Sequence, residues 1–176
     1  HRWGLFYALS GRWNISDESW MEPTKKWLSM FAVRFGWGVT GNQPPKADTH
    51  YSVYNVDGKY INSIGMRPGN IRLTDLRWEQ VMDWNLGWNI GLFNDLLTAD
   101  INLYSKQTSD LFTNDPKIPS TSGFTSLPTE NGGDMKNQGY EINLSLNRVK
   151  IAGDLSATFN LTFANNRNTI TAMDPI

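Results

Sequence analysis

Six stretches of the sequence carry an apolar side chain at every second position. The cleanest runs from Met82 to Leu92, where tryptophan, leucine and isoleucine alternate with asparagine, glycine and aspartate. Successive side chains of a β-strand point to opposite faces, so this period places one whole face of each stretch in an apolar environment. The sequence therefore predicts an all-β chain of six strands. They lie within residues 3–15, 31–39, 82–92, 97–103, 140–146 and 155–163.

The short connections predict how neighbouring strands pair. Asn94-Asp95 is a two-residue turn signal between the third and fourth strands, and residues 150–153 join the fifth to the sixth. Both turns bring apolar residues opposite apolar residues, which makes the pairing self-consistent. The predicted opposite pairs are Trp88 and Ile101, Leu86 and Leu103, Asp83 and Lys106, Asp100 and Asn89, Leu144 and Phe159, and Asn143 and Asn160.

The connections between the strands alternate in length along the chain. The second and fourth are long, at about residues 41–76 and 109–136, and both are rich in glycine, proline, asparagine, serine and threonine. In an up-and-down antiparallel meander all short connections fall at one end and all long ones at the other. Short turns at one end and long, extracellular loops at the other are typical of outer-membrane β-barrels.

Alternation also occurs in soluble β-sandwiches, so other features must decide between the two environments. The mean hydropathy of −0.46 suggests a soluble domain, but a barrel with a polar lumen averages to a similar value. The polar face is mostly asparagine, serine, threonine and glycine, and the strands, at roughly 11–13 residues, are long enough to cross a bilayer when tilted. These features favour a transmembrane barrel, and a soluble carbohydrate-binding β-sandwich stays as the alternative.

Six strands cannot form such a barrel alone, because the smallest single-chain barrels have about eight. An open sheet edge is not tolerated in lipid. The whole chain, residues 1–176, is therefore expected to be one part of a larger barrel.

The alternation assigns residues to two faces. The expected lipid-facing residues are Trp84, Leu86, Trp88, Ile101, Leu103, Leu144 and Phe159. The expected lumen-facing polar residues are Arg34, Asp83, Asn85, Asn89, Asp100, Glu141 and Asn143.

Several functional classes lack support in the sequence. Sixteen basic against 17 acidic residues give a net charge of −1, which does not suit a nucleic-acid binder. There is no cysteine, and His1 and His50 are far apart, so we expect no metal site, no cofactor and no catalytic triad. Asp83, Asp100 and Glu141 could supply a glycosidase pair. The predicted pairing sets Asp83 opposite Lys106 and Asp100 opposite Asn89, so neither faces another acid, and an enzyme is the least favoured class.

The segment Gly36–Gly41 fits the pattern G-x-G-x-x-G of dinucleotide-binding loops. That motif must open a helix, and Pro44 and Pro45 follow it here. The sequence instead predicts that these glycines lie where another element approaches closely.

The order of several segments resembles the SusC/RagA family of TonB-dependent outer-membrane transporters. Trp27–Gln43 resembles that family's "W-L-s…lklR-s-G-v-T-G-N-q" segment, and Leu76–Asn94 resembles "L-k-W-E…n-i-G-l". Asn102–Leu111 is similar to "d-y-Y-k-k-T-s-D-L", and Asn131–Glu141 to "N-x-G-x-m-x-N-k-G-v-E". The order and spacing hold over nearly the whole chain.

The resemblance implies a 22-stranded barrel in the bacterial outer membrane, closed by an N-terminal plug that contacts TonB. It implies a SusD-like surface lipoprotein as lid and the import of oligosaccharides or peptides across the outer membrane of Bacteroidota. The plug, the segment that contacts TonB and the C-terminal strands have no counterpart in these residues, so we expect an internal barrel segment. The long loops carry aromatic and amide side chains that suit contact with substrate or lid, and these are Tyr51, Tyr54, Asn55, Tyr60 and Phe124.

Overall fold

A computed structural model describes residues 3–44, 51, 53–61, 63–69, 76–113, 121 and 129–173. One antiparallel sheet of six strands dominates it, and two small ladders of two strands each accompany that sheet. In chain order the strands are β1 (Ala8–Asn14), β2 (Leu28–Asn42), β3 (Tyr54–Tyr60), β4 (Ser63–Pro68), β5 (Glu79–Leu92), β6 (Leu97–Ser109), β7 (Phe112–Thr113), β8 (Glu130–Asn131), β9 (Gly133–Ala152) and β10 (Leu155–Met173). No helix in these ranges is long and apolar enough to cross a membrane.

The main sheet is an up-and-down meander. Its strand order is β1-β2-β5-β6-β9-β10, and every neighbouring pair is antiparallel. The connections β1–β2, β5–β6 and β9–β10 are short and share one end of the sheet, whereas the two long connections share the other. The six predicted strands and their alternating connections are confirmed.

The long connections hold more structure than the sequence predicted. Strands β3 and β4 form a hairpin inside the first, and β7 pairs with β8 inside the second. Glycine, proline and asparagine interrupt the alternation of these short strands, which hides them from a pattern search. The first connection between main strands holds two short 3₁₀ turns, Ile15–Asp17 and Ser19–Thr24.

The turn between β5 and β6 forms as predicted. Asn94 and Asp95 have the positive φ that the central residues of a type I′ turn require, Phe93 before them also has a positive φ, and the Leu96 N–H donates to the Phe93 carbonyl over 3.2 Å. The predicted pairs along these two strands, with Trp88 opposite Ile101 at their middle, are all confirmed.

The predicted pairing of the last two strands was wrong by two residues. Leu144 lies opposite Leu161 instead of Phe159, and Asn143 lies opposite Thr162 instead of Asn160. The turn lies further along the chain than predicted, at Gly153 and Asp154, because β9 continues to Ala152 and β10 begins at Leu155. Two register shifts, between Leu155 and Ser156 and between Ala157 and Phe159, then reduce the displacement to two residues. A shift of two residues keeps every side chain on its predicted face. These strands, with 20 and 19 residues, are also longer than expected.

Residues of the strands on both sides, β2 and β9, form hydrogen bonds with the β5–β6 turn. The Ser29 hydroxyl donates to Asp95 Oδ1 over 2.7 Å, and the Asp95 N–H donates to the same hydroxyl over 3.1 Å. On the other side Asn147 Nδ2 donates to the Asp95 carbonyl over 3.0 Å. One turn residue therefore links β2, β5–β6 and β9 at the short-connection end.

The glycines of Gly36–Gly41 lie in the second half of β2, which continues through them to Asn42. A Cβ on Gly38 would lie 3.1 Å from the Ala8 Cβ, and a Cβ on Gly41 would collide with the Phe6 ring. Close approach is therefore confirmed at these two positions. It was wrong for Gly36, where no atom lies within 4 Å.

Candidate functional site

The predicted lumen-facing residues all lie on one face of the main sheet. Two rows of paired residues run across the strands on this face. One row is Arg34, Gly87, Asn102 and Glu141, and the other is Ala32, Asn89, Asp100 and Asn143. Asp83 and Asn85 extend the same face towards the long-connection end, where they lie opposite Lys106 and Tyr104. We call this surface the polar face.

Arg34 reaches across β5 to form an ion pair on β6. Its Nη2 atom lies 2.9 Å from Asp100 Oδ2 and 3.0 Å from Asn102 Oδ1. Asn102 Nδ2 donates to Asp100 Oδ1 over 2.6 Å, and Asn89 Nδ2 donates to Asp100 Oδ2. One carboxylate thus accepts from three side chains on three strands. We call these four residues the arginine cluster.

Gly87 makes this reach possible. It lies between Arg34 and Asn102 in the register, and a Cβ there would be 2.8 Å from Asn102 Oδ1 and 3.0 Å from Arg34 Nη2. An alanine there would therefore force the Asn102 side chain to shift and crowd the Arg34 guanidinium. The sequence analysis missed the pair because β2 and β5 are joined by a long connection, which does not determine their register.

The polar face also presents polar atoms that no described residue satisfies. Arg34 Nε is buried without an acceptor, and Asn89 Oδ1 and Asn137 Oδ1 are buried without a donor. Buried polar atoms usually have a partner, because leaving one unpaired costs about 1–3 kcal/mol. One donor and two acceptors on the same face suit a polar partner or water.

Three carboxylates of the polar face, those of Asp83, Asp100 and Glu141, each lie opposite a residue that is not an acid. Asp83 lies opposite Lys106 and Asp100 is engaged by Arg34, while Glu141 lies opposite Asn102. The predicted partners of Asp83 and Asp100, which are Lys106 and Asn89, are therefore confirmed. Among the described residues there is also no group of three His, Cys, Asp or Glu side chains that could hold a metal ion.

The predicted lipid-facing residues share the opposite face, which we call the apolar face. Val33, Trp88, Ile101 and Ile142 form one row across it, and Phe35, Leu86, Leu103 and Tyr140 form the next. Leu144 and Phe159 also lie on this face, although they are not opposite each other. Much of the apolar surface is uncovered, since Trp84, Phe163 and Phe159 are 40%, 50% and 58% exposed.

Tyr104 differs in position from the strand aromatics of the apolar face. It lies on the polar face, opposite Gly139, and its hydroxyl would be 2.7 Å from a Cβ on that glycine. The ring therefore covers the backbone of β9, which a side chain at position 139 would prevent.

Three of the five loop residues predicted to contact substrate or lid have described side chains, and these are Tyr51, Tyr54 and Asn55. Tyr51 and Tyr54 are 59% and 60% exposed, and Asn55 lies in β3 opposite Arg67. Tyr54 and Asn55 are consecutive strand residues, so their side chains point to opposite faces of the hairpin. Only the backbone of Tyr60 is described, and Phe124 lies outside the described residues.

Comparisons with known proteins identify the family of this sheet. A family model described as "TonB dependent receptor-like, beta-barrel" matches residues 1–175. The chain therefore belongs to the TonB-dependent receptor β-barrel family, and the resemblance seen in its motifs is confirmed.

Individual relatives agree with this assignment. The TonB-dependent receptor SusC of Bacteroides thetaiotaomicron is 32% identical over 98% of this chain and 18% of its own length. The structure of the RagAB peptide importer in the "closed-closed" state superposes with a TM-score of 0.79 at 29% identity, covering 94% of this chain and 18% of that one. A second structure of the RagAB peptide transporter gives a TM-score of 0.80 at 28% identity, covering 96% and 18%. The chain thus spans less than a fifth of the length of these relatives, and its open meander is a segment of a transmembrane barrel.

Proposed function

We propose that this chain forms part of the wall of a TonB-dependent importer in the bacterial outer membrane. Its polar face lines the lumen, its apolar face contacts lipid, and its long connections lie outside the cell. The complete protein takes up oligosaccharides or peptides, works with a SusD-like surface lipoprotein and receives energy through TonB by its plug. Family membership and the likeness to SusC and RagAB support these assignments.

The exposure of the apolar face supports the proposed lipid environment. Among the described residues only two apolar side chains, Leu28 and Ala32, are buried, although the sheet presents a continuous row of tryptophan, leucine, isoleucine and phenylalanine. A soluble β-sandwich buries such a face against a second sheet about 10 Å away. In the described ranges the remaining strands form only two-stranded ladders. A sandwich therefore lacks its second sheet in these ranges, and lipid is the solvent that fits the exposed face.

The absence of cysteine from this chain allows a direct test of the two faces. Trp88→Cys and Asn89→Cys introduce single thiols at adjacent positions of β5 in the full-length receptor, made free of other cysteines. A charged, membrane-impermeant maleimide should label Asn89→Cys from the lumen and leave Trp88→Cys unlabelled until detergent is added. Equal labelling of both positions in intact membranes would contradict the face assignment.

Import itself is tested in cells. Deletion of the full-length gene should abolish uptake of one class of oligosaccharide or peptide, and a protonophore should stop uptake in the wild-type strain, because TonB transmits the proton gradient. An affinity-tagged receptor should co-purify with a surface lipoprotein. Uptake that continues in de-energised cells would contradict a TonB-dependent role.

A further inference from the structure

The segment before β1 crosses the end of β2 and reaches the start of β5. The Tyr7 carbonyl accepts from the Val39 N–H over 2.8 Å, and beyond it the Phe6 ring lies over Gly41. The same ring lies against Trp78, with 5.6 Å between the ring centroids and 38° between the planes. The missing side chain at Gly41 is what lets this crossing occur.

The crossing creates a cleft of about 430 Å³ at the long-connection end of the sheet. We call it the rim cleft. Its side chains are those of Trp3, Leu5, Phe6, Arg77, Trp78, Gln80 and Asp110. Gln80 is paired with Gly41 and belongs to the apolar face, so the rim cleft is separate from the arginine cluster on the polar face.

The polar side chains of the rim cleft are not engaged elsewhere in the described structure. The Arg77 guanidinium, the Gln80 amide and the Asp110 carboxylate form no hydrogen bond or ion pair with another described residue. They offer both donors and acceptors, and the one positive and one negative charge cancel.

Asn131 holds the backbone that carries two of these side chains. Its Oδ1 accepts from the Arg77 N–H over 2.8 Å, and its Nδ2 donates to the Arg77 carbonyl over 3.2 Å and to the Asp110 carbonyl over 2.7 Å. Asp110, at a φ of 56°, is further fixed by its N–H, which donates to Asp134 Oδ1 over 3.1 Å. The start of β5 and the end of β6 are thus joined directly beneath the rim cleft.

We propose that the rim cleft binds a neutral pyranose of a saccharide. Aromatic rings offer flat apolar surfaces to the C–H face of a sugar, and uncommitted donors and acceptors around them suit its hydroxyl groups. Trp3, which is 92% exposed, and Trp78 provide the flat surfaces, while Arg77, Gln80 and Asp110 provide the hydrogen bonds.

The saccharide has two possible sources, a free oligosaccharide outside the cell or the sugar headgroup of a glycolipid in the outer leaflet. This choice rests on the proposed function, which places the long-connection end at the external surface and the apolar face in lipid. The chemistry of the rim cleft is the same for both sources.

The test measures binding to the full-length receptor by isothermal titration calorimetry, in a detergent without a sugar headgroup. The probes are maltohexaose, mannohexaose and xylohexaose for the free source, and the delipidated core oligosaccharide of lipopolysaccharide for the glycolipid source. We expect at least one probe to bind, and Trp3→Ala to weaken its affinity about tenfold, as the loss of one aromatic contact predicts. Asp110→Asn should also weaken the affinity for the probe, because one carboxylate oxygen that accepts a hydrogen bond from the sugar is replaced by an amide N–H donor.

Two control variants test whether the effect is local. Trp13→Ala removes another exposed tryptophan at the far end of β1, and Asp154→Asn neutralises an exposed carboxylate in the β9–β10 turn at the short-connection end, so both should leave binding unchanged. Equal losses in Trp3→Ala and Trp13→Ala, binding of hexaalanine in place of the sugars, or no binding of any probe would overturn the proposal. If cells still take up the substrate in a TonB-dependent way after such a result, then only the assignment of the rim cleft has failed, and the proposed import function stands.

Discussion

At the scale of single residues, the arginine cluster depends on a side chain that is missing. Gly87 needs no unusual backbone conformation, so the reason for glycine here is space. Gly87→Ala should displace the Arg34 guanidinium and leave Asp100 without its ion-pair partner. The pair is about one-third exposed, which reduces its contribution, so we expect a loss of about 1–2 kcal/mol in the free energy of unfolding. Urea unfolding of the full-length receptor in lipid vesicles measures it.

Gly36→Ala is the matched control for that change. Gly36 lies on the same polar face one strand away, and no atom lies within 4 Å of the added Cβ. Alanine is better than glycine within a strand by about 0.5–1 kcal/mol, so this variant should be as stable as wild type or slightly more stable. If both variants lose the same stability, then steric displacement of Arg34 is not the cause.

The two faces of β5 predict opposite effects of the same substitution. Leu86→Asp places a carboxylate on the apolar face, whereas Asn85→Asp places it on the polar face one residue away. A charge near the bilayer midplane costs up to about 2–4 kcal/mol, and less for aspartate than for lysine or arginine, so Leu86→Asp should reduce folding into vesicles far more. Asn85 is a better control than Asn89, whose amide already contacts Asp100. Equal folding yields of both variants would contradict the lipid assignment.

At the scale of elements, the clasped β5–β6 turn links four strands of the sheet. We expect the hydrogen bonds between Ser29 and Asp95 to contribute about 1 kcal/mol together. Unfolding free energies of Ser29→Ala, Asp95→Ala and the double variant form a cycle that isolates this energy. Alanine at position 95 is also strained by the positive φ there, but this strain is present in both the single and the double variant and cancels in the cycle. Strict additivity of the two single effects would show that the clasp does not couple the strands.

The elements that the sequence predicted well are those whose register depends on one short turn. Asn94-Asp95 determined every pair between β5 and β6, and the structure agrees. The pairing of the last two strands was wrong by two residues because the turn lies at Gly153 and Asp154 and two register shifts follow it, and alternation predicts neither. The β3–β4 hairpin was not predicted because its two strands are short. They carry too few alternating positions to stand out from the glycine, proline and asparagine residues around them, which are typical of loops.

The candidate sites were less predictable than the strands for a related reason. Alternation assigns Arg34 and Asp100 to one face, but only the register between β2 and β5 brings them together across Gly87, and a long connection separates those strands. The rim cleft depends on a crossing of the N-terminal segment that no periodicity records. Asn131 stood out in a motif, but its contacts to Arg77 and Asp110 follow from the three-dimensional arrangement.

At the scale of the whole molecule, the main sheet ends in two open edges. Strand β10 is the last strand of the sheet and has 19 residues, of which roughly half direct their backbone N–H and C=O groups away from β9. In hydrocarbon each unsatisfied group costs several kcal/mol, and β1 presents a second such edge. In the complete barrel both edges must pair with further strands.

This requirement predicts that residues 1–176 expressed alone do not fold as an independent unit. Without detergent they should aggregate, because the apolar face is uncovered. In lipid vesicles they should lack the resistance to SDS and heat that we expect of the full-length receptor. Gel mobility without boiling, together with circular dichroism during heating, distinguishes these states. A monomeric, detergent-free chain that melts cooperatively would contradict the barrel-wall interpretation and return the soluble sandwich as the better account. Recovery of an SDS-resistant form on mixing with the remaining strands of the receptor would instead show directly that the open edges are pairing surfaces.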